Sequence, residues 1–276
     1  MTTQLIRKEE FRWSFMKKGS QVLNVCTRLL FMFGIGAGLL TSTTNMAFAN
    51  PTDGVVAAGA ATIATAGSEV LINQSSASAI IDWQSFDIAT GETTRFSQPD
   101  ASSVALNRIM SSTQLTSING NLIANGRVFV INPNGAMLGA GANVNTAGFI
   151  ASTANIANDA FMNSTGAYDF NMAGNQNASV VNNGTVTVQD AGLVAFVAPN
   201  VANNGVIQGN LAKIELGAAD TFGVDLYGDG LIHLAVDAPA SASRSISATN
   251  NGSLVADGGT VLMTAAAASN VNVDDL

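Results

Sequence analysis

Val180-Val181-Asn182-Asn183-Gly184-Thr185-Val186 returns 21 residues later as Val201-Ala202-Asn203-Asn204-Gly205-Val206-Ile207. Its turn returns again 47 residues after that, at Asn250-Asn251-Gly252-Ser253-Leu254. A second β-prone run follows each turn after a similar gap: Leu193-Val194-Ala195-Phe196-Val197, then Ala212-Lys213-Ile214-Glu215-Leu216, then Thr260-Val261-Leu262-Met263. One unit therefore takes about 20 residues, the period of a solenoid. Val, Ile, Leu and Phe would point inward and Thr, Ser, Asn and Gln outward, each coil laying its strands on those of the coil below. Asn-Gly suits the corners because both residues tolerate positive φ at low steric cost. Asparagines stacked at equivalent corners can hydrogen-bond from coil to coil. The rival architecture is an antiparallel sandwich or barrel, because Asn-Gly also marks hairpins; hairpin spacing would be roughly half of what is seen.

The expected fold class is all-β: a right-handed parallel β-helix with an N-terminal cap and side hairpins. The 227 residues from 50 to 276 would make about 8 to 11 coils, a rod of roughly 40 to 55 Å. A solenoid's first coil is an open edge that invites aggregation, so Asn50 to about Ile72 is expected to cover it. No sustained helical period is present, and helices should be minor.

Composition excludes several classes. With 47% apolar but only 11% charged residues, a membrane protein must be considered first, yet no stretch after Leu40 approaches the ~20 apolar residues that span a bilayer. Only five basic residues follow residue 50 (Arg95, Arg108, Arg127, Lys213 and Arg244), against seventeen acidic ones, a net charge of −12. Such a segment is poorly suited to neutralising phosphates, so nucleic acid is not an expected partner.

Residues 1–49 read as an extended secretory signal: a basic region ending near Lys17-Lys18, an apolar core from Leu29 to Leu40 and a small-residue site at Ala47-Phe48-Ala49. Cleavage is placed after Ala49, and a second start at Met16 is equally readable. The lone Cys26 leaves with the signal, so residues 50–276 carry neither a disulfide framework nor a thiolate metal site.

Ile80-Ile81-Asp82-Trp83-Gln84-Ser85-Phe86-Asp87-Ile88, Phe96-Ser97-Gln98-Pro99 and Ala105-Leu106-Asn107-Arg108-Ile109 form an ordered series of blocks. Ile118-Asn119-Gly120, Asn125-Gly126-Arg127-Val128-Phe129-Val130-Ile131-Asn132-Pro133-Asn134-Gly135 and Phe149-Ile150-Ala151-Ser152-Thr153 continue it. The series resembles the N-terminal two-partner secretion (haemagglutination activity) domain of filamentous haemagglutinin-like exoproteins, over roughly residues 50 to 240. That resemblance implies an exoprotein that enters the periplasm unfolded, is recognised by an outer-membrane transporter barrel with periplasmic domains, and folds at the cell surface of a Gram-negative bacterium. Members are usually adhesins, haemagglutinins, haemolysins or contact-dependent toxins, which brings host-cell receptors or glycans in as further partners. Such proteins normally run on for many hundreds of residues, so the ending at Asp274-Asp275-Leu276 is read as an incomplete exoprotein ahead of a truncated module.

Asn132-Pro133-Asn134-Gly135 is the sharpest candidate motif. Its plain reading is a β-turn, with Pro fixing φ at the second position and Asn-Gly as the permissive pair; the resemblance adds that it is needed for export. Asn107 and Arg108 come next, Asn107 as an amide near a coil corner and Arg108 as the partner of a carboxylate. Trp83 and Phe86 read as packing residues that close one end of the solenoid. His233, the only histidine, lies in a strand-like run without the partners an acid–base role requires. Asp220, Asp225 and Asp229 lack calcium-loop spacing and read as solvated loop residues. Gly34, Gly36 and Gly38 lie in the signal's apolar core, with no βα unit to make a nucleotide loop. No catalytic residue, cofactor or metal is expected. The leading function is an export and nucleation module that scaffolds an adhesin or haemagglutinin. The alternatives are a polysaccharide-acting β-helix enzyme, weakened by the scarcity of basic residues and of paired aspartates, and a domain that itself adheres to glycans.

Overall fold

The computed structural model describes residues 49–110, 113–226, 232–235 and 246–265, with the backbone alone for 232–235. Coiling begins with β3 (Glu69–Gln74) and β4 (Ser78–Trp83), after two short strands, β1 (Val55–Ala58) and β2 (Ala61–Ala66). Three coils follow: β5 (Thr93–Ser97), β6 (Val104–Ile109) and β7 (Thr116–Ile118); β8 (Asn121–Ala124), β9 (Arg127–Ile131) and β10 (Ala136–Leu138); β11 (Asn143–Thr146) and β12 (Gly148–Ser152). The chain then leaves through a short helix, Asn158–Met162, and β13 (Ala167–Phe170), and returns at β14 (Ser179–Asn182). Next come β15 (Thr185–Val188), β16 (Leu193–Ala198), β17 (Asn200–Asn203), β18 (Val206–Asn210) and β19 (Lys213–Ala218). A second excursion takes β20 (Thr221–Asp225) and β21 (Ile232–Ala235), before β22 (Ser247–Asn250), β23 (Ser253–Asp257) and β24 (Thr260–Ala265).

These strands stack into three sheets that form the faces of a right-handed parallel β-helix. The first runs β2-β3-β5-β8-β11-β15-β18-β23, the second β1-β4-β6-β9-β12-β16-β19-β24 and the third β22-β17-β14-β10-β7. The first sheet has one wet face, so its strands alternate: in Thr185-Val186-Thr187-Val188 the valines are buried and the threonines half-buried. The second sheet is covered on both sides, which is why Val128-Phe129-Val130-Ile131 is an unbroken apolar run. Its inward residues, among them Val128, Phe149, Phe196 and Ile214, fill the lumen. Its outward residues, including Phe129, Ile150 and Val197, pack under Phe161, Tyr168, Phe170 and Phe222 of the excursions. Those excursions form an antiparallel sheet of β13, β20 and β21, with Phe170 and Phe222 paired in register and their rings stacked at 4.5 Å.

The expected cap, side hairpins and scarcity of helix are present, with two corrections. β1 and β2 run antiparallel to β4 and β3 and cover the first coil, so the cap ends at Ala66 and β3 already belongs to the coils. Seven parallel strands follow β2 in the first sheet. The described residues therefore make about seven coils rather than 8 to 11, because the two excursions carry strand-like sequence that adds no height.

The three Asn-Gly turns stand on one corner, in register from Asn182 to Asn203 to Asn250. Their glycines serve a purpose different from the expected one. Positive φ occurs at Gly59, Gly67, Gly91, Gly135, Gly166 and Gly258, and at none of Gly184, Gly205 or Gly252. A Cβ on Gly205 would run into the carbonyl oxygen of Gly184, and one on Gly252 into that of Gly205. The corner needs glycine because successive backbones approach too closely for a side chain.

Candidate functional site

Each corner of the coil is closed by a buried amide. Between the first and second sheets, Gln98 donates to Gln74 Oε1 at 3.1 Å and accepts the Gly126 N–H at 3.1 Å. Asn125 reads the Gln98 backbone in both directions, at 2.8 and 2.7 Å. Between the third and first sheets, Asn182 Nδ2 donates to Asn203 Oδ1 at 2.7 Å, and Asn203 Nδ2 donates to Asn250 Oδ1 at 2.7 Å. A second ladder of Asn183, Asn204 and Asn251 runs beside it in solvent, at 2.9 and 3.0 Å.

The corner between the second and third sheets is built by Asn132-Pro133-Asn134-Gly135. Gly135 N–H donates to Asn132 O at 2.8 Å, which makes the stretch a β-turn with Pro133 at its second position. Only Gly135 has positive φ, +102°, so Asn134 is not under the strain its pairing with glycine suggests. Asn132 is 1% exposed and uses every polar group it has. Its N–H donates to Ser152 O on the next coil, and its Oδ1 accepts the Asn134 N–H at 3.0 Å. Its Nδ2 donates to Gln114 O at 3.0 Å and Thr116 Oγ1 at 3.1 Å on the preceding coil. Pro133 and Asn134, by contrast, are half-buried at the surface of the turn.

Arg108 pairs in register with Ile131, so the two candidate motifs meet at the same end of adjacent strands. Asn107 is not at a corner. It lies within β6 and faces the lumen, where Oδ1 accepts Trp83 Nε1–H at 2.9 Å and Nδ2 donates to the carbonyls of Ala105 and Phe129 at 3.3 Å. An amide there satisfies the indole of the residue that closes the first coil: Trp83 is buried and packs edge-on to Phe86 at 5.6 Å. Arg108 points the other way. It has its carboxylate, Asp82, held by two bonds of 2.7 and 3.0 Å, and Nη1 reaches Asn158 Oδ1 at 2.7 Å at the start of the short helix. One arginine thus ties two coils to the first excursion.

Reading the sequence missed Asp87, which accepts the Ser117 N–H at 2.7 Å and fixes β7 from the side opposite Asn132. Burial holds its carboxyl above the ordinary carboxylate range, and the Ser117 bond opposes that shift. The signal was the block Phe86-Asp87-Ile88, a single acid between two core residues. Asp220 is buried and Asp225 half-buried, so neither is the solvated loop residue expected of it. Asp229, the side chain of His233, Cys26, Gly34, Gly36, Gly38 and residues 1–48 lie outside the described residues. Among the described residues, no three His, Cys, Asp or Glu side chains are placed to hold a metal ion.

The family model described as "TPS secretion domain" matches residues 47–275, and the chain belongs to that family, the module of two-partner secretion. The solved structure of the HMW1 secretion domain from Haemophilus influenzae superposes with a TM-score of 0.64 and 31% identity, over 78% of this chain and 56% of that one. Two heme/hemopexin-binding proteins of Haemophilus influenzae are also similar. One is 40% identical over 119 residues, 42% of this chain and 13% of that protein; the other is 42% identical over 89 residues, 32% and 10% respectively. The matched part is about a tenth of those relatives' length. Proteins with this domain are secreted exoproteins that reach the surface of Gram-negative bacteria through the periplasm, and the domain implies an outer-membrane transporter as partner.

Proposed function

We propose that residues 1–49 are a leader removed after Ala49, that residues 50–276 form the export and nucleation module of an adhesin- or haemagglutinin-type exoprotein rather than a catalyst, and that export depends on the corner Asn132–Gly135 together with Asn107 and Arg108. The observation that carries this reading is the division of labour within the turn. Asn132 is buried and holds three coils, while Pro133 and Asn134 form the half-buried outer side of the same turn, where a transporter would meet it. Asn107 and Arg108 secure the two faces of the strand beside it.

Fractionating cells that co-express the transporter tests the proposal with two variants. Gly135→Ile places a β-branched residue at positive φ, at about 1–2 kcal/mol, and drives its Cβ into Ser179 O. Asn134→Val meets no such strain. Surface release is expected to fall in both, with the precursor degraded or retained in the periplasm, while Asn134→Val lowers the melting temperature less than Gly135→Ile does. Full release of both variants would show that the corner is neither a recognition element nor a required turn.

A further inference from the structure

Glu92 sits in the corner before β5 with 3% of its surface exposed. Oε2 accepts the Ala89 N–H at 2.7 Å and closes its own turn; Oε1 accepts the backbone N–H of Ala49 at 2.7 Å. The ion pairs formed among the described residues, Arg95 with Glu69 and Arg108 with Asp82, do not involve it. A buried carboxylate is best offset by an opposite charge that also hydrogen-bonds it.

The donor to Oε1 belongs to the last residue of Ala47-Phe48-Ala49. Next to it Asn50 is 5% exposed, with Nδ2 donating to Gly67 O at 3.4 Å and Oδ1 buried without a partner. Its backbone nitrogen is one residue from that of Ala49, a separation of at most about 3.6 Å. When a leader peptidase cuts after Ala49, water adds across the Ala49–Asn50 amide. The new carboxylate departs on the leader, and the freed amine takes up a proton. Glu92 Oε1 loses its neutral donor at the moment an α-ammonium with three donors appears beside it and beside Asn50 Oδ1.

We infer that leader removal completes the cap: the α-ammonium of Asn50 takes the place of the Ala49 N–H on Glu92, making a buried ammonium–carboxylate pair that the unprocessed chain cannot form. The inference rests on the proposed cleavage after Ala49. It anchors the start of the cap to the corner of the first coil, adding a charged contact, present only in the processed protein, to the antiparallel pairing that already holds β1 and β2. The pair favours the protonated amine and raises its folded-state pKa. Its stabilisation is therefore present below the ordinary α-amino value of about 7.7–8.0 and is lost as pH rises through the raised one.

The test uses the chain purified after export, its N-terminus read by mass spectrometry, as native and Glu92→Gln proteins, each with the α-amine free or acetylated. Acetylation is expected to raise the unfolding constant at pH 7 at least tenfold when Glu92 is present and less than threefold in Glu92→Gln. Equal effects in both would overturn the pairing. If Glu92→Gln does not fold, titration of the α-amine in the native protein decides: a value within the ordinary range overturns the pairing, and a raised one supports it. An N-terminus other than Asn50 would instead overturn the cleavage reading.

Discussion

Two ladders of asparagine run side by side up one corner, alike in chemistry and unlike in burial, and they allow the contribution of stacking to be separated from that of exclusion from water. Asn203 is fully buried, and Asn203→Ala removes two bonds of 2.7 Å, one from Asn182 and one to Asn250. Each is worth about 1 kcal/mol net, and stranding a buried donor costs about 1 kcal/mol more. Asn182 is that donor, since it is fully buried and keeps only a 3.4 Å contact with Gly184 O. The expected loss is about 3 kcal/mol, or roughly 6–12 °C in melting temperature for a domain of this size. Asn204→Ala also removes two ladder bonds, of 2.9 and 3.0 Å, but these lie in solvent, where water replaces them. That loss should stay below about 1 kcal/mol. Thermal and urea melts of the two variants beside the parent protein are the assay. Equal falls in stability would refute the reasoning, because they would mean that the ladder acts through its geometry and not through burial.

Gly205→Ala should destabilise by about 1–3 kcal/mol although φ there is not left-handed, because the new Cβ meets Gly184 O; amide exchange that accelerates in β17, β18, β22 and β23 would locate the damage. Asp87→Asn keeps an acceptor for Ser117 and removes a charge that burial disfavours, so it should stabilise the protein at neutral pH. The native carboxyl titrates above its unfolded value, which means the penalty is absent below about pH 4 and grows as pH rises through the raised pKa; a benefit that persists at pH 3 in urea melts would contradict this. Deleting residues 51–66 strips β1 and β2 from the first coil and should produce aggregation and a lower melting temperature, checked by light scattering and calorimetry.

The solenoid was legible because its repeat is written in residues that the corner requires. Intervals of 21 and 47 both turned out to separate adjacent coils, Asn182 to Asn203 and Asn203 to Asn250. The longer one contains β20 and β21, which have strand-like sequence but stand outside the coil, so dividing length by period overcounted the turns. Asn107 was misplaced because asparagine is so strongly associated with corners. The alternation of Ala105, Asn107 and Ile109 was the better guide, since it puts the amide on the lumen face. The glycines were found for an incomplete reason: sequence shows where a side chain is missing but not whether torsion or a neighbouring backbone forbids it. Glu92 and Asp87 carry no sequence signal beyond being single acids, because their roles depend on backbone N–H groups contributed by distant segments.

The reversal of strand direction at the cap gives the rod a polarity. At one end the outermost strands, β1 and β2, run against the strands they cover, and the ladder there has the antiparallel hydrogen-bond pattern. At the other, β22, β23 and β24 all run with the coils beneath them. Like a filament with chemically unlike tips, the described coils begin on antiparallel pairs and end on parallel ones. A coil of the same period laid on β22, β23 and β24 would continue a direction already set, whereas one laid on the cap would meet strands of the opposite sense.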